Sequence, residues 1–222
     1  MQITFLGHAC VVLRGTKTIV IDPWVPTGFP KDIKPDVVVL THAHGDHLGE
    51  VSDLQAHVIC ANELALYYSE EGLSTDPMNI GGTIKYDGVS YTMTWAPHSS
   101  WINTEGCGRY GGSSAGFVIT MDGITAYHAG DTGLFSDMHL IGELYRPDIA
   151  FLPIGGRYTM GPREAMVAAE FVGAKTVVPI HYNTFPHIEL TDEEVLSFKT
   201  TIERTTDLSV ILLKPGESIE IP

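Results

Sequence analysis

Residues 41 to 47 read Thr41-His42-Ala43-His44-Gly45-Asp46-His47, and they follow directly on the apolar run 37–40. That run suits a buried strand. Four candidate ligands then fall within six positions. His42 and His44, two apart, can point to one side of an extended backbone, and Asp46 and His47 follow a glycine that permits a sharp bend. One such cluster can serve two adjacent cations. Imidazole nitrogen and carboxylate oxygen are accepted by zinc, manganese, iron and nickel, and without a neighbouring cysteine a closed structural zinc site is disfavoured. The competing reading is a surface loop that happens to be rich in histidine.

The rest of the chain is a succession of short elements. Apolar runs at 2–6, 11–13, 18–21 and 37–40 read as strands, separated by Gly7, Gly15 and the Asp22-Pro23 turn. A strand at 57–60 precedes a helix over 62–71, with Asn62 placed to cap it and Gly72 to end it. Residues 89–95 alternate as a strand and run into His98, after which 99–114, rich in glycine, serine and aromatics, reads as an active-site loop. Strands at 116–121 and 124–128 flank Asp122-Gly123, a strong hairpin signal, and the hairpin delivers Gly130-Asp131-Thr132 at its exit. A strand at 148–152, a helix over 162–172, a strand at 176–180, a capped helix over 191–205 and strands at 208–213 and 218–221 complete the chain. With no low-complexity linker and no fixed-period repeat, the expectation is one domain over 1–222, its two halves forming similar layers that face each other.

His98, Asp131 and His181 each end a predicted strand, and strand ends can converge in space. Any one of them alone reads as a structural residue. Beside the cluster at 42–47 they read as ligands.

The pattern T-H-x-H-x-D-H followed by a histidine, an aspartate and a histidine closely resembles the metallo-β-lactamase superfamily, over essentially the whole chain. The segments Gly7-His8-Ala9, His128-Ala-Gly-Asp-Thr-Gly133, Leu152-Pro-Ile-Gly155, Tyr158-Thr-Met-Gly-Pro162 and His181-Tyr-Asn-Thr-Phe-Pro186 further resemble a bacterial and archaeal family of metal-dependent hydrolases similar to the ascorbate-6-phosphate lactonases. The resemblance implies an α+β fold, the four-layer αββα sandwich, with the site at one edge between two sheets. It also implies two divalent ions, zinc, manganese or nickel: His42, His44 and His98 on one, Asp46, His47 and His181 on the other, and Asp131 bridging both. Penicillin-cleaving members lack that aspartate, whereas phosphodiester, lactone and thioester hydrolases keep it. The activity implied is attack by a hydroxide shared between the cations on a small anionic ester, lactone or phosphodiester.

On this reading Asp46 and Asp131 orient the nucleophile, and His8 is the first candidate to protonate a leaving group. His8, like His128, reads equally well as a hydrogen-bond partner of a ligand carboxylate. Asp22 is either an acceptor behind a ligand histidine or a plain Asx-Pro turn. Arg109 and Arg157, in glycine-rich loops, are either anion contacts or solvated surface arginines. His57, His139 and His187 fall outside the pattern and read as structural.

A formal net charge of −14 disfavours nucleic-acid binding, which needs a basic stripe, although two cations at one point would invert the field locally for a small anion. No run approaches the roughly 18 apolar residues of a membrane span, and the N-terminus has no signal-peptide pattern, so a cytoplasmic protein is expected. Cys10, Cys60 and Cys107 are too few and too scattered for a disulfide framework. A homo-oligomer is allowed but nothing specifies one. The competing functions are a di-iron oxidoreductase, which typically carries a glutamate where this chain has His44, and a nuclease or metal-dependent binding module on the same fold.

Overall fold

The computed structural model describes residues 1–103 and 108–222, so Cys107 and part of the expected loop at 99–114 lie outside the described residues. The first half supplies β1 (Gln2–Gly7), β2 (Cys10–Arg14), β3 (Thr18–Ile21), β4 (Val37–Val39), the short helices α1 (Gly45–Leu48) and α2 (Val51–Leu54), β5 (His57–Ala61), α3 (Asn62–Glu70) and β6 (Thr75–Met78). The second supplies β7 (Thr83–Tyr86), β8 (Val89–Trp95), the short pair β9 (Trp101–Ile102) and β10 (Arg109–Tyr110), β11 (Ala115–Met121), β12 (Ile124–His128), α4 (Met138–Tyr145), β13 (Ile149–Pro153), α5 (Pro162–Val172), β14 (Thr176–Ile180), α6 (Asp192–Thr205), β15 (Ser209–Val210) and β16 (Ser218–Glu220).

Two seven-stranded sheets result, in the orders β16-β1-β2-β3-β4-β5-β6 and β15-β14-β13-β12-β11-β8-β7. Because strand side chains alternate between faces, each sheet has two faces to cover. Phe5, Val11, Leu13, Ile19, Val37 and Val39 meet Tyr91, Met93, Phe117, Ile119, Phe151 and Val178 in one core between the sheets. The alternate residues turn outward. Val38, Leu40, Val58 and Cys60 pack under α3, and Val118, Tyr127, Ala150 and Leu152 pack under α4, α5 and α6. Helices therefore cover both outer faces, which is the expected αββα order of layers. Among the described residues no helix is long and apolar enough to cross a membrane.

Strand direction positions the site. β1 and β3 both pair antiparallel with β2, and β3 pairs parallel with β4, so β1, β3 and β4 run the same way. In the other sheet β8 and β12 both pair antiparallel with β11, and β12, β13 and β14 are parallel. All the strands that lead into candidate residues thus leave each sheet at one end. The two sheets are joined there by backbone bonds, His181 N–H to the His8 carbonyl at 2.7 Å and Ala115 N–H to the Thr41 carbonyl at 3.0 Å.

Several expectations needed adjustment. The final strand returns to the first sheet, pairing Gln2 with Glu220, so the halves are interlocked and not separate layers. The expected strand at 208–213 is reduced to β15. Asn62 is the first residue of α3 and not its cap, a position held by Ala61 with no side-chain bond. The expected strand 89–95 is β8, but its hairpin partner β7 is not among the expected strands, although the turn at Asp87-Gly88, with both residues at positive φ, repeats the signal that marked Asp122-Gly123.

Helix α4 was not expected, because Gly142 interrupts its apolar pattern. A Cβ there would lie 2.6 Å from the carbonyl oxygens of both Phe171 and Val172, so the glycine lets α4 approach α5. Two effects compete in Gly142→Ala: helix propensity favours alanine by about 1 kcal/mol, whereas overpacking against rigid backbone costs about 1–3 kcal/mol. The clash should win. The variant should melt a few degrees below the parent, at about 2–4 °C per kcal/mol, and a higher midpoint would refute the packing argument.

Candidate metal centre

The site is built from strand exits. Thr41 to His47 follow β4, His98 follows β8, Asp131 follows β12 and His181 follows β14, with His8 and Asp22 leaving β1 and β3. His8, Asp22 and His181 have φ of 53°, 48° and 56°, left-handed values that non-glycine residues adopt at a cost of about 1–3 kcal/mol. Aspartate and histidine are among the non-glycine residues enriched in that region, but nothing local in the sequence says which of them adopt it. Gly130, at φ 64°, brings Asp131 inward where a Cβ would lie 2.5 Å from the Ala115 carbonyl.

All seven candidate ligands are brought together. Nε2 of His42 lies 3.0 Å from Nδ1 of His44, and Nε2 of His98 lies 3.3 Å from the same Nδ1. A hydrogen bond between two of these nitrogens serves one pair, whereas a cation accepts all three lone pairs at once. On the other side, atoms of Asp46, His47 and His181, with His8, fall within 4.8 Å of one another. Between the two groups stands Asp131: Oδ2 is 3.0 Å from His181 Nε2 and 3.6 Å from His98 Nε2, and Oδ1 is 3.3 Å from His47 Nε2.

Behind this cluster one buried carboxylate sets two rings. Asp22 accepts from Thr41 N–H at 2.9 Å, from the Thr41 hydroxyl at 2.7 Å and from His47 Nδ1–H at 2.7 Å. The Thr41 oxygen in turn accepts from His42 Nδ1–H at 3.0 Å. His42 therefore presents a bare Nε2 to the site, and His47 would do so once its Nε2 proton is given up. Asp22 takes the supporting role that sequence left open, and Thr41, unnoticed although it begins the motif, is the relay. Ser100 Oγ accepts from Ala43 N–H at 3.2 Å and ties the loop after His98 to the same segment.

Charge is arranged accordingly. Burial pushes the His42 imidazole well below its ordinary pKa and lowers those of His44 and His98, leaving neutral rings with free lone pairs. Burial would raise Asp131 and Asp46, but the surrounding histidines outweigh it, holding Asp131 well below the carboxylate range and Asp46 at about 2. His47 also loses by burial, yet Asp131 and Asp22 overcome this and raise its pKa well above 6.5.

His8 is buried behind Asp46, its Nε2–H donating to Oδ2 at 3.2 Å, and burial lowers its pKa to about 4. It stacks near His181 and does not line the site cavity, which measures about 340 Å³ and is walled by His44, Asp46, His98, Ser99, Asp131, Tyr158 and His181. His128 does not reach a ligand carboxylate, contrary to one expectation. Its Nε2–H donates to the Ala9 carbonyl at 2.9 Å and its Nδ1 accepts from Gly130 N–H, pinning the turns that carry His8 and Asp131. Arg109 forms an exposed ion pair with Glu70, away from the cavity. Arg157 lies 5.6 Å from the ring of Tyr158, which does reach the cavity and had no expected role. His57 stacks on Tyr86, His139 pairs with Glu143 at the surface and His187 sits in a 3-10 turn, all outside the site.

Whether this cluster fits metal can be asked of its unsatisfied atoms. His47 Nε2, Asp131 Oδ1 and both ring nitrogens of His181 are buried without a hydrogen-bond partner among the described residues. Each such group costs about 1–3 kcal/mol unless something compensates. Divalent cations that accept nitrogen and oxygen donors would satisfy His47 Nε2, Asp131 Oδ1 and the Nε2 of His181 together.

A family model described as a beta-lactamase superfamily domain matches residues 17–182. The chain belongs to the metallo-β-lactamase superfamily. Within that superfamily it is 58% identical over 221 residues to a UPF0173 metal-dependent hydrolase of Methanospirillum hungatei, covering 100% of this chain and 99% of that protein. It superposes on Igni18, a metallo hydrolase from the archaeon Ignicoccus hospitalis, with a TM-score of 0.88 and 36% identity over 100% of this chain and 99% of the other. An isothiocyanate hydrolase from Delia radicum gut bacteria, at 21% identity and a TM-score of 0.74 with 100% and 99% coverage, shares the fold. The protein is a metal-dependent hydrolase of the metallo-β-lactamase superfamily.

Two outcomes follow for the metallo-β-lactamase site. Asp22→Asn should weaken zinc binding by about 10–100-fold in a chelator competition, because His47 loses its negatively charged acceptor; an unchanged affinity would remove Asp22 from the account. The raised pKa of His47 means that the metal-free protein carries this proton at pH 7 and must lose it when Nε2 takes a cation. The heat of zinc titration at pH 7 should therefore change with the ionisation enthalpy of the buffer, and buffer-independent heat would contradict it.

Proposed function

We propose that this protein holds two divalent cations, zinc, manganese or nickel, and hydrolyses a small anionic ester, lactone or phosphodiester. The observation that carries the reading is the position of Asp131, whose carboxylate touches histidines of both groups. His42, His44 and His98 would hold one ion, Asp46, His47 and His181 the other, and Asp131 both. When bound, such ions supply a water ionised near neutral pH and the positive field that polarises the scissile bond.

The chain's own groups do the rest. Asp46 and Asp131 are carboxylates at any working pH, since both titrate far below neutrality, and both line the cavity where they can orient a water. The cavity of about 340 Å³ limits what enters to a small group. His8, neutral at pH 7 with its N–H committed to Asp46, is a positioning residue in this reading and not the proton donor. Ser99 Oγ, 3.4 Å from His44 Nε2, and Tyr158 face the entering group.

The test is a panel of a chromogenic phosphodiester, a lactone and a thioester offered to metal-loaded protein. Turnover of at least one member, lost in His44→Ala, supports the proposal; no turnover of any overturns it. Within an active assay His8 is separable from a proton donor. His8→Ala should lower kcat by about 10–100-fold with metal retained, while His8→Gln, which keeps an N–H toward Asp46, should recover most of it. Equal loss in both variants would make His8 a proton donor after all.

A further inference from the structure

Beside the metal centre lies a second cavity of about 350 Å³ that shares His98 and Ser99 with the first. Its walls are aromatic. Trp95, Trp101 and Tyr110 line it while remaining 49%, 48% and 58% exposed. None of the three rings is a loose surface group. Trp95 rests edge-on against Phe135 with centroids 5.4 Å apart, and Trp101 and Tyr110 are register partners across β9 and β10. The Trp101 indole lies so close over Gly108 that a Cβ there would sit 1.7 Å from its nitrogen.

A second observation is independent of the aromatic walls. Ser114 also lines the cavity, is 2% exposed, and its hydroxyl has no hydrogen-bond partner among the described residues. An unsatisfied buried hydroxyl costs about 1–3 kcal/mol and calls for a polar atom opposite it. Among the described residues no carboxylate, ammonium or guanidinium lines the cavity. A charged group placed there would gain no counter-ion from these walls. An aliphatic chain would pack on the rings but leave Ser114 unpaired. A neutral aromatic ring bearing a hydrogen-bonding atom answers both demands, offering its face or edge to the indoles and its polar atom to the serine.

We propose that this cavity binds such a ring, and that the ring belongs to the substrate, adjoining the bond placed at the metal centre. The second half rests on the hydrolase reading given above; the first does not. The substrate class is then an ester, lactone or phosphodiester whose reacting centre faces His98 and Asp131 and whose aryl or heteroaryl group lies against Trp95 and Trp101.

The test has two arms. In the first, the full-length protein is titrated with benzamide and, as the saturated control of equal polarity, cyclohexanecarboxamide, while the indole N–H signals of its three tryptophans are followed by NMR. Benzamide should shift the Trp95 and Trp101 signals saturably and leave Trp24 in place, with cyclohexanecarboxamide about 10-fold weaker. Trp101→Ala should weaken benzamide by about 10-fold, and Ser114→Ala, which perturbs packing less, by a few-fold. Absence of saturable shifts, equal response to both amides, or shifts that follow protein concentration and so mark a contact between copies would overturn the cavity's assignment. In the second arm, metal-loaded enzyme is given matched phenylacetyl and cyclohexylacetyl esters, whose reacting carbonyls are alike. The phenyl ester should be preferred about 10-fold in kcat/KM, and Trp101→Ala should abolish the preference. Benzamide binding without hydrolysis of any ester, lactone or phosphodiester leaves the pocket and removes the function; hydrolysis without aryl preference does the reverse.

Discussion

Seven ionisable side chains meet at the edge of two apolar sheets, and the whole arrangement depends on how their burial is compensated. His42, His47 and Asp131 are removed from water almost completely. Burial alone would neutralise the carboxylates and strip protons from the imidazoles. The chain does not allow the first of these. Asp131 and Asp46 are held ionised by the rings around them, and His47 is kept protonated between Asp131 and Asp22. Neutral rings on one side, carboxylates in the middle and a replaceable proton on the other make a pocket ready for divalent cations. His47 Nε2, Asp131 Oδ1 and His181 Nε2, buried without a partner among the described residues, are the donors such cations would engage.

The fold serves this cluster by parallel strand direction. Since the strands that feed the site leave both sheets at the same end, no long connection is needed to bring residues 42 and 181 together. Backbone bonds between the two sheets, from His181 to His8 and from Ala115 to Thr41, fix the gap at that end. Left-handed residues at three strand exits then turn the chain sharply enough to aim side chains inward. Their strain persists because the shared core on one side and the Asp22 relay on the other determine the position twice over.

Much of this is legible in the sequence. The density of candidate ligands at 42–47 and the strand-end positions of His98, Asp131 and His181 depend only on residue type and on a period of two, which local sequence records well. Asp22 was half-legible: its position after a strand suggested support, but its partner Thr41 is 19 residues away, and long-range pairing leaves no local trace. Helix α4 was hidden because Gly142 reads locally as a breaker, and its reason, the carbonyls of Phe171 and Val172, lies on another helix. The return of β16 to β1 was hidden for the same cause, since pairing across 218 residues is a property of the folded chain. His8 stands out in sequence by its place in a turn, but its burial and its bond to Asp46 join residues 38 positions apart and leave no local trace. Tyr158 sits in a segment that resembles known relatives and Ser114 ends the expected loop at 99–114, and neither carries a local mark of what it faces.

The central claim is that these seven residues form one site for two cations. It is tested most directly by the metal stoichiometry of the purified protein, before and after reconstitution with zinc or manganese, by elemental analysis together with native mass spectrometry. The account predicts two divalent ions per chain, both lost or greatly weakened in Asp131→Ala because that carboxylate faces both groups. A single ion that survives Asp131→Ala, or none after reconstitution, would contradict it.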